Sequence, residues 1–156
     1  MSHILTLLVA VPMLGALAIL FMPRQNVKLL RNFSVGIMLV EFVVSLALLW
    51  DPTTQTRVSY AASGFMFVET YSWVESLGIS YKVGIDGISL WLILLTTALT
   101  PIALFASWQS IDTKIKEFAL AFLLLEVGML GAFVALDLFL FYVFWELMLV
   151  PMFLII

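Results

Sequence analysis

Five apolar runs of about twenty residues, 4–22, 32–50, 87–107, 118–136 and 137–156, alternate along the chain with shorter polar or aromatic stretches. A helix rises about 1.5 Å per residue, so each run matches the roughly 30 Å hydrocarbon core of a bilayer. The pattern predicts five transmembrane helices. Stretches 23–31 and 108–117 read as polar loops, whereas 51–86 is longer, aromatic and interrupted by Pro52, Gly64, Gly78 and Gly84. No run within 51–86 is long enough to cross. Its segments 64–68 and 79–83 set β-branched and aromatic residues between turn formers, which predicts short strands or a hairpin at the membrane surface. Trp50, Tyr71, Trp73 and Tyr81 suit an interfacial aromatic belt.

Several residues punctuate the helices. Asp86 is placed to cap the third by accepting from the amide of Ile88 or Ser89, and Asp137 to end the fourth and cap the fifth. Pro12, with Gly15 following, predicts a packing kink in the first. Pro101 withholds the amide that would bond the carbonyl of Thr97, and Thr96, Thr97 and Thr100 offer hydroxyls for local backbone satisfaction. Pro151 does the same to the carbonyl of Leu147, weakening the fifth helix and leaving a backbone acceptor bare. Gly128, Gly131 and Ala135 are small residues spaced to let another helix approach closely.

Composition sharpens this picture. The chain is 64% apolar and 11% charged, against about 45–50% and 25% in ordinary globular proteins. This is an all-α polytopic membrane protein with no water-soluble domain. Cysteine is absent and the single histidine is His3, which excludes disulfides, iron–sulfur clusters, thiolate metal sites and a histidine-ligated haem or metal within the membrane. No cofactor is expected on this chain, nor is nucleic acid a partner; the lipid bilayer is. Arg24, Lys28, Arg31, Lys114 and Lys116 flank the loops after the first and third helices, whereas the other side holds Arg57 and Lys82. The asymmetry predicts an external N-terminus. No basic residue precedes the first apolar run, so no cleavable signal is expected. Residues 152–156 stop at bilayer depth without a basic flank, which reads as a truncated end.

Three ionisable residues fall inside spans, all acidic: Glu41, Glu126 and Glu146. Glu146 lies nine residues past Asp137, about 13–14 Å along the helix and so near the bilayer midplane. A charge there costs about 2.5–3.5 kcal/mol on insertion scales, which demands a partner, a cavity or a role. The same arithmetic sets Glu126 roughly 12 Å into its helix. Glu41 is read as touching a partner helix or subunit and being satisfied there, which does not by itself indicate transport. No lysine or arginine lies at the depth of these carboxyls, so any basic partner comes from elsewhere.

Three passages resemble a known family. Residues 81–90, YKVGIDGISL, look like the signature before the third helix of the antiporter-like subunits of respiratory complex I; 94–101 look like the threonine-rich run that follows, and 135–152 like the fifth helix. The likeness is greatest to the M subunit of bacterial NADH:quinone oxidoreductase and covers about the first third of a family member. It implies a bundle built on two inverted five-helix repeats, with 1–117 forming peripheral helices and the external 51–86 loop, and 118–156 beginning the first repeat. It implies proton translocation coupled to NADH oxidation and quinone reduction. Glu146 matches the family's functional glutamate, paired there with a lysine on a later helix, and Glu126 is a further candidate. NADH, FMN, iron–sulfur clusters and quinone would belong to partner subunits, with neighbouring antiporter-like subunits alongside, in a bacterial cytoplasmic (inner) membrane or an organellar one. Two other readings accompany it: a subunit of a multisubunit cation/proton antiporter, and a truncated structural or assembly subunit that does not pump.

Overall fold

The structure, a computed structural model, describes residues 3–50, 64–111 and 113–156. Asp51, Pro52 and Arg57 lie outside the described residues. The elements are α1 (Ile4–Phe21), α2 (Val27–Leu46, continued by a 3-10 turn at Ala47–Leu49), β1 (Met66–Val74), β2 (Ile79–Ile85), α3 (Gly87–Ala106), α4 (Ile115–Val134) and α5 (Leu138–Ile155). All five helices are long and apolar enough to cross a membrane. The chain is a polytopic membrane protein.

α2 starts at Val27 rather than at 32, because the Asn26 side chain accepts from the amide of Leu29 and starts the helix early. Lys28 and Arg31 thus ride on the first turns of α2 instead of in a loop. α4 likewise begins at Ile115, not 118, and ends at Val134, so 135–137 is a connector and Ala135 lies outside the helix. That connector pairs with the hairpin: Val83 bridges Ala135, and the amide of Leu136 donates to the carbonyl of Lys82 at 2.8 Å.

The hairpin is longer than the sequence segments imply, running antiparallel from Met66↔Ile85 to Val74↔Ile79 with two register shifts. A short 3-10 turn and Gly78, at φ 67°, close it; glycine holds this left-handed conformation without a Cβ penalty. Glu69 then ties the hairpin to α1. Its Oε1 accepts from the amide of Leu5 at 3.0 Å and its Oε2 from the Thr6 hydroxyl, which also meets the Tyr81 hydroxyl at 3.0 Å. His3 offers no side-chain cap of its own, so a carboxylate from 64 residues away satisfies the amide end of α1.

The opposite end of the bundle is held by its basic residues. Lys116 Nζ donates to the carbonyls of Leu20 and Met22 at 2.9 and 2.8 Å, closing the C-terminus of α1. Arg31 donates to the carbonyl of Ile111 at 2.7 Å with its guanidinium over the Trp108 ring, and Arg24 pairs with Glu117 at 2.8 Å. Between the two ends, α4 is the central helix and touches each of the other four. α5 packs on α4 and on β2, and within it only Leu140 and Pro151 are buried.

Candidate functional site

Two of the midspan carboxyls are interior. Glu41 and Glu126 are both 0% exposed. Glu126 Oε1 stands 2.6 Å from the Thr100 hydroxyl, which is also 2.6 Å from the carbonyl of Thr96. Thr100 thus does more than the local backbone satisfaction expected of it. Thr97 does bond its own helix, at the carbonyls of Ile93 and Leu94, but meets the Ser45 hydroxyl of α2 at 2.8 Å as well. Glu41 is enclosed by this chain's own helices, as contact with a partner helix requires, yet neither of its oxygens has a hydrogen-bond partner among the described residues.

Glu146 is placed differently. The face of α5 that seats on α4 carries Phe144 and Met148, received by Gly131 and Gly128: a Cβ on Gly131 would stand 2.2 Å from the Phe144 ring, and one on Gly128 2.4 Å from Met148. Successive helical residues turn by about 100°, so Glu146 points away from that seam, on the exposed side with Tyr142, Trp145, Leu149 and Phe153. The glycine spacing read from the sequence is thus the α4–α5 contact, with Ala135 taking no part as a helical residue. The bundle brings Glu41 and Glu126 into one interior and sets Glu146 on the other side of α5. Among the described residues, no group of three or more metal-ligating side chains converges.

The prolines leave their helices continuous. Pro101 and Pro151 are both buried inside α3 and α5, and α5 runs on to Ile155. The weakening expected around Leu147 does not break the helix.

Both helix caps close the hairpin end. Asp86 accepts from the amides of Ile88 at 3.0 Å and Ser89 at 2.7 Å, while the Ser89 hydroxyl accepts from the amide of Asp86 at 2.8 Å, a reciprocal box that satisfies the first turn of α3. Asp137 Oδ1 accepts from Phe139 and Leu140, and its Oδ2 from the amide and hydroxyl of Ser80, so one carboxylate caps α5 and pins β2. Donation from Ser89 chiefly holds Asp86 below the ordinary carboxylate range, and donation from Leu140 chiefly does so for Asp137. A depressed carboxyl contributes stability that is present above its unfolded pKa, about 3.9, and lost as pH falls through the lower folded value. Both caps are therefore intact at neutral pH. Asparagine caps nearly as well as aspartate, so Asp86→Asn is expected to shift thermal unfolding of the solubilised protein little, and Asp86→Leu to cost about 1 kcal/mol. If asparagine proved as damaging as leucine, the charge of Asp86 and not its cap would be what matters.

The family model for NADH-ubiquinone oxidoreductase chain 4, amino terminus, matches residues 27–136. The chain is 38% identical to NADH-ubiquinone oxidoreductase chain 4 of Prototheca wickerhamii, over 100% of its own length and 31% of that protein's. It is 40% identical to chain 4 of Marchantia polymorpha, over 96% of its length and 29% of the relative's. It is 38% identical to NAD(P)H-quinone oxidoreductase chain 4 2 of Trichodesmium erythraeum, over 97% and 26%. The chain thus spans somewhat under a third of the curated relatives it matches.

Proposed function

The chain belongs to the NADH-ubiquinone oxidoreductase chain 4 family, and from that premise we propose that it serves as an M-type, antiporter-like membrane subunit of complex I in which Glu146 binds and releases the translocated proton. The observation that carries this reading is the position of Glu146: the ninth of the eighteen residues of α5, on the face turned away from α4 and exposed. A carboxyl held at that depth without a basic neighbour among the described residues of its own chain is a functional position by default. Exposure on the outer face of α5 suits a partner that arrives from outside these five helices. The proposed partner is a lysine ammonium. Approach of the ammonium favours the carboxylate and its withdrawal favours the acid, so a moving charge becomes a moving proton without any redox centre in this chain.

The redox groups belong to other subunits in this reading. Iron–sulfur clusters need thiolate ligands and this sequence has no cysteine; NADH, FMN and quinone are assigned with them to partner subunits. Residues 118–156 begin the first antiporter-like repeat, and 1–117 are peripheral to it. The experiment that tests the reading is NADH-driven proton uptake by a complex carrying Glu146→Gln.

The proposed location is the bacterial cytoplasmic membrane, with the hairpin end outside and the end that carries Arg24, Lys28, Arg31, Lys114 and Lys116 inside. Basic-residue asymmetry supports this orientation. Because the chain has no cysteine, single cysteines at Ser76 in the hairpin turn and Gln109 in the α3–α4 loop, both exposed, report sidedness. In intact cells an impermeant thiol reagent is expected to label the cysteine at 76 and to reach 109 only after permeabilisation. The reverse pattern would invert the topology.

A further inference from the structure

Glu41 and Glu126 sit on one level of the bundle. Ser45 of α2 meets Thr97 of α3 at 2.8 Å, and these consecutive spans cross in opposite directions. One turn back from Ser45 is Glu41, and one turn on from Thr97 is Thr100, so both steps run the same way, by about 5–6 Å. Thr100 in turn touches Glu126 of α4. Three of the four oxygens of the two carboxyls, both of Glu41 and Oε2 of Glu126, have no hydrogen-bond partner among the described residues.

The Thr100 hydroxyl supplies a count of protons. It has one hydrogen and stands 2.6 Å from each of two oxygens, the Thr96 carbonyl and Glu126 Oε1. Each contact is a separate two-centre hydrogen bond only if one of those oxygens brings a proton of its own, and a backbone carbonyl cannot; otherwise the one hydrogen is shared between them. The carboxyl can: Thr100 then donates to Thr96, and Glu126 donates to Thr100. Among the described residues, no other charge competes for this place. α1 and α3 contain no ionisable residue; Lys28 and Arg31 of α2 and Lys116 and Glu117 of α4 are at the basic end; Glu146 of α5 faces away.

We infer that Glu41 and Glu126 form a second proton-binding site in this chain, enclosed by α2, α3 and α4, in which the proton resides on Glu126 against Thr100 and Glu41 is the neighbouring carboxyl. The site is independent of the reading given to Glu146. It stands or falls on its own residues.

The test uses the complete complex. A membrane-permeant carbodiimide attacks protonated carboxyls in apolar surroundings, and peptide mass spectrometry locates the adduct. Glu126 is expected to be labelled at neutral pH, equally in the wild type and in Glu146→Gln. In Glu41→Gln the label on Glu126 is expected to fall several-fold, because a neutral amide removes the like-charged neighbour that favours the acid form of Glu126. Absence of label on Glu126 in the wild-type complex, or a label indifferent to Glu41→Gln, would overturn the site. Suppression of the label by sodium, relative to choline at equal ionic strength, would also overturn it by making the ligand a monovalent cation. The wild-type label and its response to sodium do not depend on any variant assembling.

Discussion

Replacing Gly131 with leucine is expected to unseat α5 and to remove nearly all assembled complex from the membrane. Glycine-to-residue changes inside a helix ordinarily gain up to about 1 kcal/mol of helix propensity. Here the gain is outweighed. A Cβ at 131 would stand 2.2–2.5 Å from three atoms of the Phe144 ring, and the Phe144 backbone itself lies close against α4, its carbonyl 3.2 Å from where a Cβ on neighbouring Gly128 would be. Overpacking of a tight contact costs about 1–3 kcal/mol for added methylenes that can be accommodated, and leucine adds three further heavy atoms beyond the clashing Cβ. In a bilayer helices have no hydrophobic drive to stay together, so close packing between α4 and α5 carries most of their association. The measurement is the amount of complex on a native gel, normalised to the expressed chain. Shortening the opposing ring with Phe144→Ala in the same chain is expected to restore part of it, whereas normal assembly of Gly131→Leu alone would mean that α5 seats elsewhere.

What could be read from the residues and what could not divides along sequence distance. The five spans, the hairpin's existence and the two aspartate caps rest on local chemistry: apolar length, turn formers, and a carboxylate two or three residues ahead of free amides. The starts of α2 and α4 were missed because hydropathy marks where the hydrocarbon begins, while Asn26 and Lys114 mark where the backbone begins to coil. Long-range pairings were not legible. Glu69 capping α1 joins residues 64 apart, and Thr100 meeting Glu126 joins residues 26 apart, with nothing in either neighbourhood to name the other. Glu69 in particular reads as one more polar residue of a surface hairpin.

The faces of α5 illustrate a different limit. Its residues are apolar all round, so periodicity does not say which side packs. The signal lay instead on α4, in Gly128 and Gly131, whose close approach to Met148 and Phe144 fixes the seam and by elimination turns Glu146 outward. The place of Glu146 at the middle of α5 was legible from counting alone; its direction required the neighbouring helix.

The central claim is that Glu146 carries the proton, and its largest expected effect follows from removing titration while keeping shape. Glu146→Gln preserves size and hydrogen bonding, so the complex is expected to assemble. Glu146→Asp, shorter by one methylene, is expected to keep part of the activity. A glutamate serving only to satisfy a buried polar network would tolerate glutamine, because a neutral amide is cheaper to bury than a carboxylate. The decisive measurement is NADH-driven proton uptake into membrane vesicles, normalised to assembled complex. Loss of nearly all uptake in Glu146→Gln, together with the quinone reductase activity coupled to it, is the result this account predicts; near-normal uptake with glutamine at position 146 would contradict it.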